Sequence, residues 1–340
     1  MCSAMGKKDL TVIQNLLFPT TRYHQINNRL MPLELPVKNV FDSSSDRIFR
    51  GNLDAEYLLS AIERQPVSAI YVEAGNNASG GYPVSMENIK EVSRIAGEHH
   101  IPLILDATRI VENAVFIKRR EKGYKDKDIF EIIHEFCSYS DGMTASLTKD
   151  FGTNKGGILA VNDERIYRRA LDTELSLGSG LSVMDKKVLG CAIDDRPYIE
   201  NMVIARMNYV RLIHEELKKN NIPVLEPAGG HCVLLDTDRI SALRGFAYPR
   251  HAFLAWLFCQ TGIRAGIHAA GMQKEYAGHS FIRLAVPLGL DEDAVKEIFN
   301  KIVGSFKQIG SIADMEKVSS NVIGLYGAMK AHFRPLRSPL

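Results

Sequence analysis

The feature that most constrains this chain is an alternation of short apolar runs with amphipathic helical stretches between about residues 54 and 163. Leu58, Leu59 and Ile62 recur at helical spacing, and VSAIYVEAG (67–75) follows as a short apolar run ending on a glycine. The order then repeats. A Gly/Asn/Ser loop (76–85) leads to MENIKEVSRIAGEHH, with Ile89, Val92 and Ile95 on one side, and then to the buried-strand pattern IPLILD, ending in Asp106. A further helical stretch (127–136), SDGMTAS (140–146) and GGILAVND (156–163) complete the series. Strand–helix–strand units at this spacing predict an α/β fold, with a mostly parallel sheet covered by helices on both faces.

Near residue 200 the texture changes. A long helical stretch from Tyr198 to Lys219 leads into VLEPAGGHCVLLD, which reads as strand, turn and strand. Helices at 253–260 and 291–309 flank a strand at 282–287, the last helix opening on the acidic residues its N-terminus prefers. The expectation is a large domain over 1–205 and a smaller α+β domain over 206–330. The segment 30–40, with Pro32 and Pro36, reads as turn-rich, 42–46 as loop, and the tail from Pro335 as loose.

With 340 residues, 45% of them hydrophobic and 24% charged, the chain has material for a sizeable core and is not disordered as a whole. Its 42 basic and 40 acidic residues leave a net charge of +2, which argues against binding through nucleic-acid backbone contacts. The mixed-sign run at 118–128 reads as a solvated helix and loop. Five scattered cysteines without a CxxC fit a reducing compartment, and no signal peptide or membrane span is evident, so a cytoplasmic location is expected.

Two residues stand out chemically. Asp106 follows LIL at the carboxyl end of a predicted buried strand, where open α/β sheets bind ligands. It reads either as the N-cap of the next helix or as the partner of a protonated ring nitrogen, with Arg109 in reach of an oxygen on the same ligand. Lys149 lies in a small-residue loop after a strand, either as a solvated charge or as an amine able to form a Schiff base. Asp-x-x-Arg after a strand, then a Ser/Thr-Lys loop some forty residues on, is the order of a pyridoxal-phosphate site.

The stretches FPTTRYHQ (18–25), NNASGGYPVSMENIKEV (76–92), LDATRIVENAVFIK (105–118), YSDGMTAS with TKD (139–150), EPAGGHCVLLD (226–236), TGIRAG (261–266) and RLAVP (283–287) together resemble the tyrosine phenol-lyase/tryptophanase family. The resemblance runs in order from about residue 12 to about residue 310. It implies a pyridoxal-phosphate-dependent enzyme of the aspartate-aminotransferase type, working as a homotetramer or homodimer on a small amino acid. Lys149 then matches the lysine that binds the cofactor and abstracts the substrate α-proton, and Asp106 the carboxylate held against the pyridine nitrogen. Arg109 and Asn77 match the pair on the ring oxygen, Phe18 the stacking aromatic, and Ser146 a phosphate-binding hydroxyl. Arg283 matches the α-carboxylate clamp, with Asn77 beside the substrate, and Asn154 a backbone position in a monovalent-cation (K+) site.

The resemblance has departures. The family's amino-terminal segment, with a phosphate-cradling Gln-Gly-Arg loop and a tyrosine acid, precedes the region matched here. Thr148 replaces the first of two lysines, Pro19 stands where threonine is usual, and His268 falls where tyrosine phenol-lyase has an arginine aimed at the phenol ring. His268 reads equally as an acid near a leaving group or as a satisfied polar residue. The leading expectation is β-elimination on an L-amino acid, releasing pyruvate and ammonia in the manner of tryptophanase. Retro-aldol cleavage of a β-hydroxy amino acid and a non-catalytic homologue that keeps the fold are the alternatives.

Overall fold

The computed structural model describes residues 1–3, 9–177, 180–268, 281–323 and 328–335. The chain forms two compact units: 1–40 with 46–205, and 41–45 with 206–340.

The first unit is built on a six-stranded sheet in the order β2-β1-β3-β4-β5-β6. Its strands are β1 (Thr11–Gln14), β2 (Met31–Glu34), β3 (Val67–Glu73), β4 (Leu103–Asp106), β5 (Gly142–Ser146) and β6 (Gly157–Val161). All neighbouring pairs are parallel except β5–β6, which is antiparallel. The helices are α1 (Pro19–Asn27), α2 (Ala55–Arg64), α3 (Met86–Glu98), α4 (Ile110–Arg120), α5 (Ile129–Ser138), α6 (Glu164–Ser176), α7 (Val183–Asp194) and α8 (Arg196–Lys219), the last running on into the second unit.

Local chemistry sets several of these boundaries. The Asp54 side chain accepts from Tyr57 N at the start of α2, and Ser85 Oγ from Asn88 N at the start of α3. Asp128 and Glu131 form a reciprocal capping box on α5. The mostly parallel sheet agrees with the reading from periodicity, because buried strands at helical intervals leave little other choice. The turn-rich reading of 30–40 is corrected: β2 forms there despite Pro32. β2 is the edge strand, where a residue without an N–H costs the ladder little. β1 also escapes periodicity, being four residues long and buried throughout.

The second unit holds a three-stranded antiparallel sheet, β7 (Cys232–Asp236), β9 (Phe281–Ala285) and β8 (Gly266–Ile267), in the order β7-β9-β8. Helices α9 (Pro249–Thr261) and α10 (Glu292–Phe306) accompany it. Its core gathers Val210, Ile213 and Leu217 of α8, Phe253, Trp256 and Leu257 of α9, and Ile282 and Leu284 of β9. Trp256 Nε1 donates to Ser311 Oγ at 3.0 Å, so the indole is buried without leaving its polar atom unpaired. An antiparallel hairpin, β10 (Met315–Ile323) and β11 (Ala328–Pro335), ends the described chain. Periodicity did not reveal it; of the tail expected to be loose, Pro335 ends β11 and 336–340 lie outside the described residues. Among the described residues no helix is long and apolar enough to cross a membrane.

Candidate active site at the carboxyl edge of the large sheet

After β1 the chain crosses to β2 on one side, and β3 then pairs with β1 on the other. This reversal is a topological switch point, and the carboxyl ends of such strands frame the ligand crevice of open α/β sheets. Phe18 follows β1, Asn77 follows β3, Asp106 ends β4 and Ser146 ends β5, so four expected site residues share that edge. A narrow cavity there is lined by residues 14–18, Thr21, Tyr71, Glu73 and Asp106, so Phe18 and Asp106 both border it.

Asp106 pairs in register with Glu73 on one side and Thr144 on the other. Its Oδ1 accepts from Thr108 N at 3.1 Å, a local turn contact, whereas the N-cap of α4 is Arg109. The capping role considered for Asp106 is therefore not what the geometry shows. Burial pushes the Asp106 carboxyl above its ordinary value, while the Thr108 hydrogen bonds and the Arg109 charge pull it back. Thr108 Oγ1 in turn accepts from Ser146 N at 3.0 Å, tying the ends of β4 and β5 together.

The side chain of Arg109 is 11% exposed, with Nη1 4.0 Å from Glu112 Oε2. The Asn77 loop is held from several directions. Asn77 N donates to Glu73 Oε1 at 2.9 Å, and Asn113 Oδ1 accepts from both Gly75 N at 3.0 Å and Val84 N at 2.8 Å. Gly75 has φ +57°, and a Cβ there would sit 3.0 Å from Arg109 Cβ. Glycine is required twice over, by conformation and by space.

Lys149 is exposed in the turn joining β5 to β6. Leu147 N donates to Gly156 O at 3.1 Å and Thr153 N to Leu147 O at 3.2 Å, so the turn is closed by its own backbone. Ser146 Oγ and Thr148 Oγ1 share a hydrogen bond of 2.9 Å, and Asn154 lies exposed further along the turn. Among the described residues no cluster of His, Cys, Asp or Glu could hold a metal ion.

Arg283 and His268 belong to the second unit. Arg283, on β9 opposite Leu234 and Gly266, has a buried Nε with no hydrogen-bond partner among the described residues. His268 is 3% exposed, donates its backbone N–H to Phe281 O at 3.0 Å, and meets the rings of Phe41 and Phe281 edge-on.

Sequence reasoning passed over Tyr71, Glu73, Glu112 and Asp150. The first two show a period-two signal in VSAIYVE, which places them on the face that carries Asp106. Glu112 and Asp150 are buried acids in stretches that read as an ordinary helix and turn.

The arrangement of sheets and helices is that of the aspartate-aminotransferase-like fold of pyridoxal-phosphate enzymes. Two solved structures share it. A Pyrococcus protein designated A1 superposes with a TM-score of 0.64 at 14% identity, over 90% of this chain and 74% of that one. A SepCysS–SepCysE N-terminal domain complex gives 0.59 at 16% identity, over 91% and 77%. Within that fold the chain belongs to the beta-eliminating lyase family, which matches residues 4–283. Tyrosine phenol-lyase of Clostridium tetani is 33% identical over 347 residues, covering 96% of this chain and 70% of its own length. Its counterpart in Lacrimispora saccharolytica is 36% identical over 273 residues, covering 76% and 58%. The matched region is thus shorter than these relatives.

Proposed function

We propose that this protein is a pyridoxal-phosphate-dependent lyase that cleaves a small L-amino acid by β-elimination, releasing pyruvate and ammonia. The observation that carries the reading is the shared carboxyl edge at the switch point, where Asp106, Arg109, Ser146 and the Lys149 turn converge. The residues fit the ring of the cofactor. Among the described residues the hydrogen-bond donors to the Asp106 carboxyl come from Thr108, and burial raises its pKa, so a cationic ring N–H is the partner it lacks.

When bound, the cofactor supplies an electron-withdrawing ring that stabilises charge at the substrate α-carbon. Asp106 keeps the proton on the ring nitrogen. Arg109 and Asn77 orient the ring oxygen, Phe18 covers a ring face and Ser146 holds the phosphate. The Lys149 amine binds the cofactor and, once released, moves the proton at the α-carbon. Arg283 binds the substrate carboxylate, an assignment supported by its buried Nε, which has no hydrogen-bond partner among the described residues. His268 donates the proton to the leaving group, a role that suits an imidazole because its ordinary pKa lies near neutrality.

The protein works as a homo-oligomer in this reading. Tyr167, Leu171, Leu175 and Leu177 in and after α6, and Val183, Met184 and Val188 of α7, are all exposed, an apolar face suited to a second copy.

The test is borohydride trapping of pyridoxal phosphate, located by mass spectrometry, with Lys149→Ala alongside. Label on Lys149 in the wild type and none in the variant is expected; an unlabelled Lys149 sinks the proposal. Pyruvate release from candidate amino acids then identifies the reaction, and aldehyde without pyruvate would replace β-elimination by aldol cleavage.

A further inference from the structure

Directly after Lys149 comes an acid to which the proposed chemistry assigns no task. Asp150 is 1% exposed, and its Oδ2 accepts the backbone N–H of Glu112 at 2.9 Å. Glu112 is the third residue of α4, and its N–H is one of the four donors that a helix start leaves unpaired. The residue at the N-cap itself, Arg109, makes no side-chain cap. Asp150 therefore does from 38 residues away what an N-cap side chain ordinarily does locally, with the helix dipole favouring its charge.

The same turn of α4 holds other site segments. The Glu112 carboxylate, fully buried, stands 4.0 Å from Arg109 Nη1. Asn113 clasps the backbone of Gly75 and Val84 at the two ends of the Asn77 loop. Through Asp150, the turn carrying Lys149 is fastened to the turn that places Arg109 and Asn77.

We propose that Asp150 is a positioning residue: by capping α4 from the lysine turn, it fixes the Lys149 amine relative to Arg109 and the Asn77 loop. The inference rests on the pyridoxal-phosphate reading. Covalent capture by an amine depends on its effective concentration at the reacting carbon, so a loosened turn weakens capture without removing any group that touches the cofactor.

The experiment uses the full chain with pyridoxal phosphate and compares wild type, Asp150→Ala and Asp150→Asn. The asparagine amide oxygen still accepts from Glu112 N–H; alanine leaves that donor unpaired. Half-saturation of Lys149 trapping should rise on the order of tenfold in Asp150→Ala and stay within about threefold of wild type in Asp150→Asn. Equal shifts in both variants, or none in either, overturn the proposal. Amide hydrogen exchange on cofactor-free protein gives a second readout: in Asp150→Ala, residues 147–156 and 110–113 should lose protection together. If wild type traps nothing on Lys149, the cofactor reading falls. The exchange result still decides the coupling, joint loss supporting it and independent behaviour ending it.

Discussion

Helices α4 and α6 make an instructive pair. They have 11 and 13 residues, and each carries an acid in its first turn. In α4 every residue from Ile110 to Ile117 is buried, including Glu112 and Asn113, whereas α6 buries none. The apolar residues of α4 are consumed by the core of its own unit, while Tyr167, Leu171 and Leu175 of α6 face outward. An amphipathic pattern thus says that a helix has a face to cover, and leaves open whether its own chain covers it.

That contrast can be broken by substitution. Ile117→Ala, at a position with no exposure, should cost about 2–5 kcal/mol in urea denaturation, and a cost below about 1 kcal/mol would mean that Ile117 is not part of a tightly packed core. Asp163, whose side chain accepts from Arg165 N and Ile166 N, is the local cap that α4 lacks. Asp163→Ala should lower the thermal midpoint and loosen the first turn of α6 in amide hydrogen exchange, against an unchanged N-terminus for α4. Leu175→Ala should shift the stability of the dissociated chain by less than about 0.5 kcal/mol. The same position changed to glutamate should weaken self-association, read by sedimentation; undisturbed association would remove this face from the oligomer proposal.

Asp106 sharpens the comparison through pH. Burial raises its carboxyl above the ordinary 3.8, so between that value and the raised one the folded state binds the proton that the unfolded chain has released. Its contribution to stability is fully present below 3.8 and is lost as pH rises through the folded value. Asp106→Asn should flatten this decline in the cofactor-free protein while weakening retention of a protonated ring. A steeper decline in the variant would contradict the burial argument.

Much of the scaffold was legible because buried parallel strands are apolar runs and their crossover helices show a 3.6-residue period. β3, β4, α3 and Asp106 at its strand end follow from that. β1 and β2 do not, because four residues carry too little periodicity and Pro32 argues against a strand unless it is known to lie at an edge. The burial of Asp150 was illegible for a different reason. Its partner is a backbone N–H 38 residues earlier, and backbone donors leave no trace in residue identity. Arg283 was singled out by resemblance alone, since a lone cation on a strand has no periodic signature, whereas Lys149 drew notice through its small-residue loop and its spacing from Asp106.

The antiparallel pairing of β5 with β6 has a consequence for how the site comes into being. Ser146 pairs with Gly157, whereas the pairings of β5 with β4 and of β4 with β3 join residues more than thirty positions apart. Short-range pairings close with little loss of chain entropy and therefore fast. The loop bearing Lys149 can be shaped by its own hairpin before the crossovers beside it are complete. The reactive amine is then delivered on a locally formed arm, and later assembly has only to dock that arm against α4.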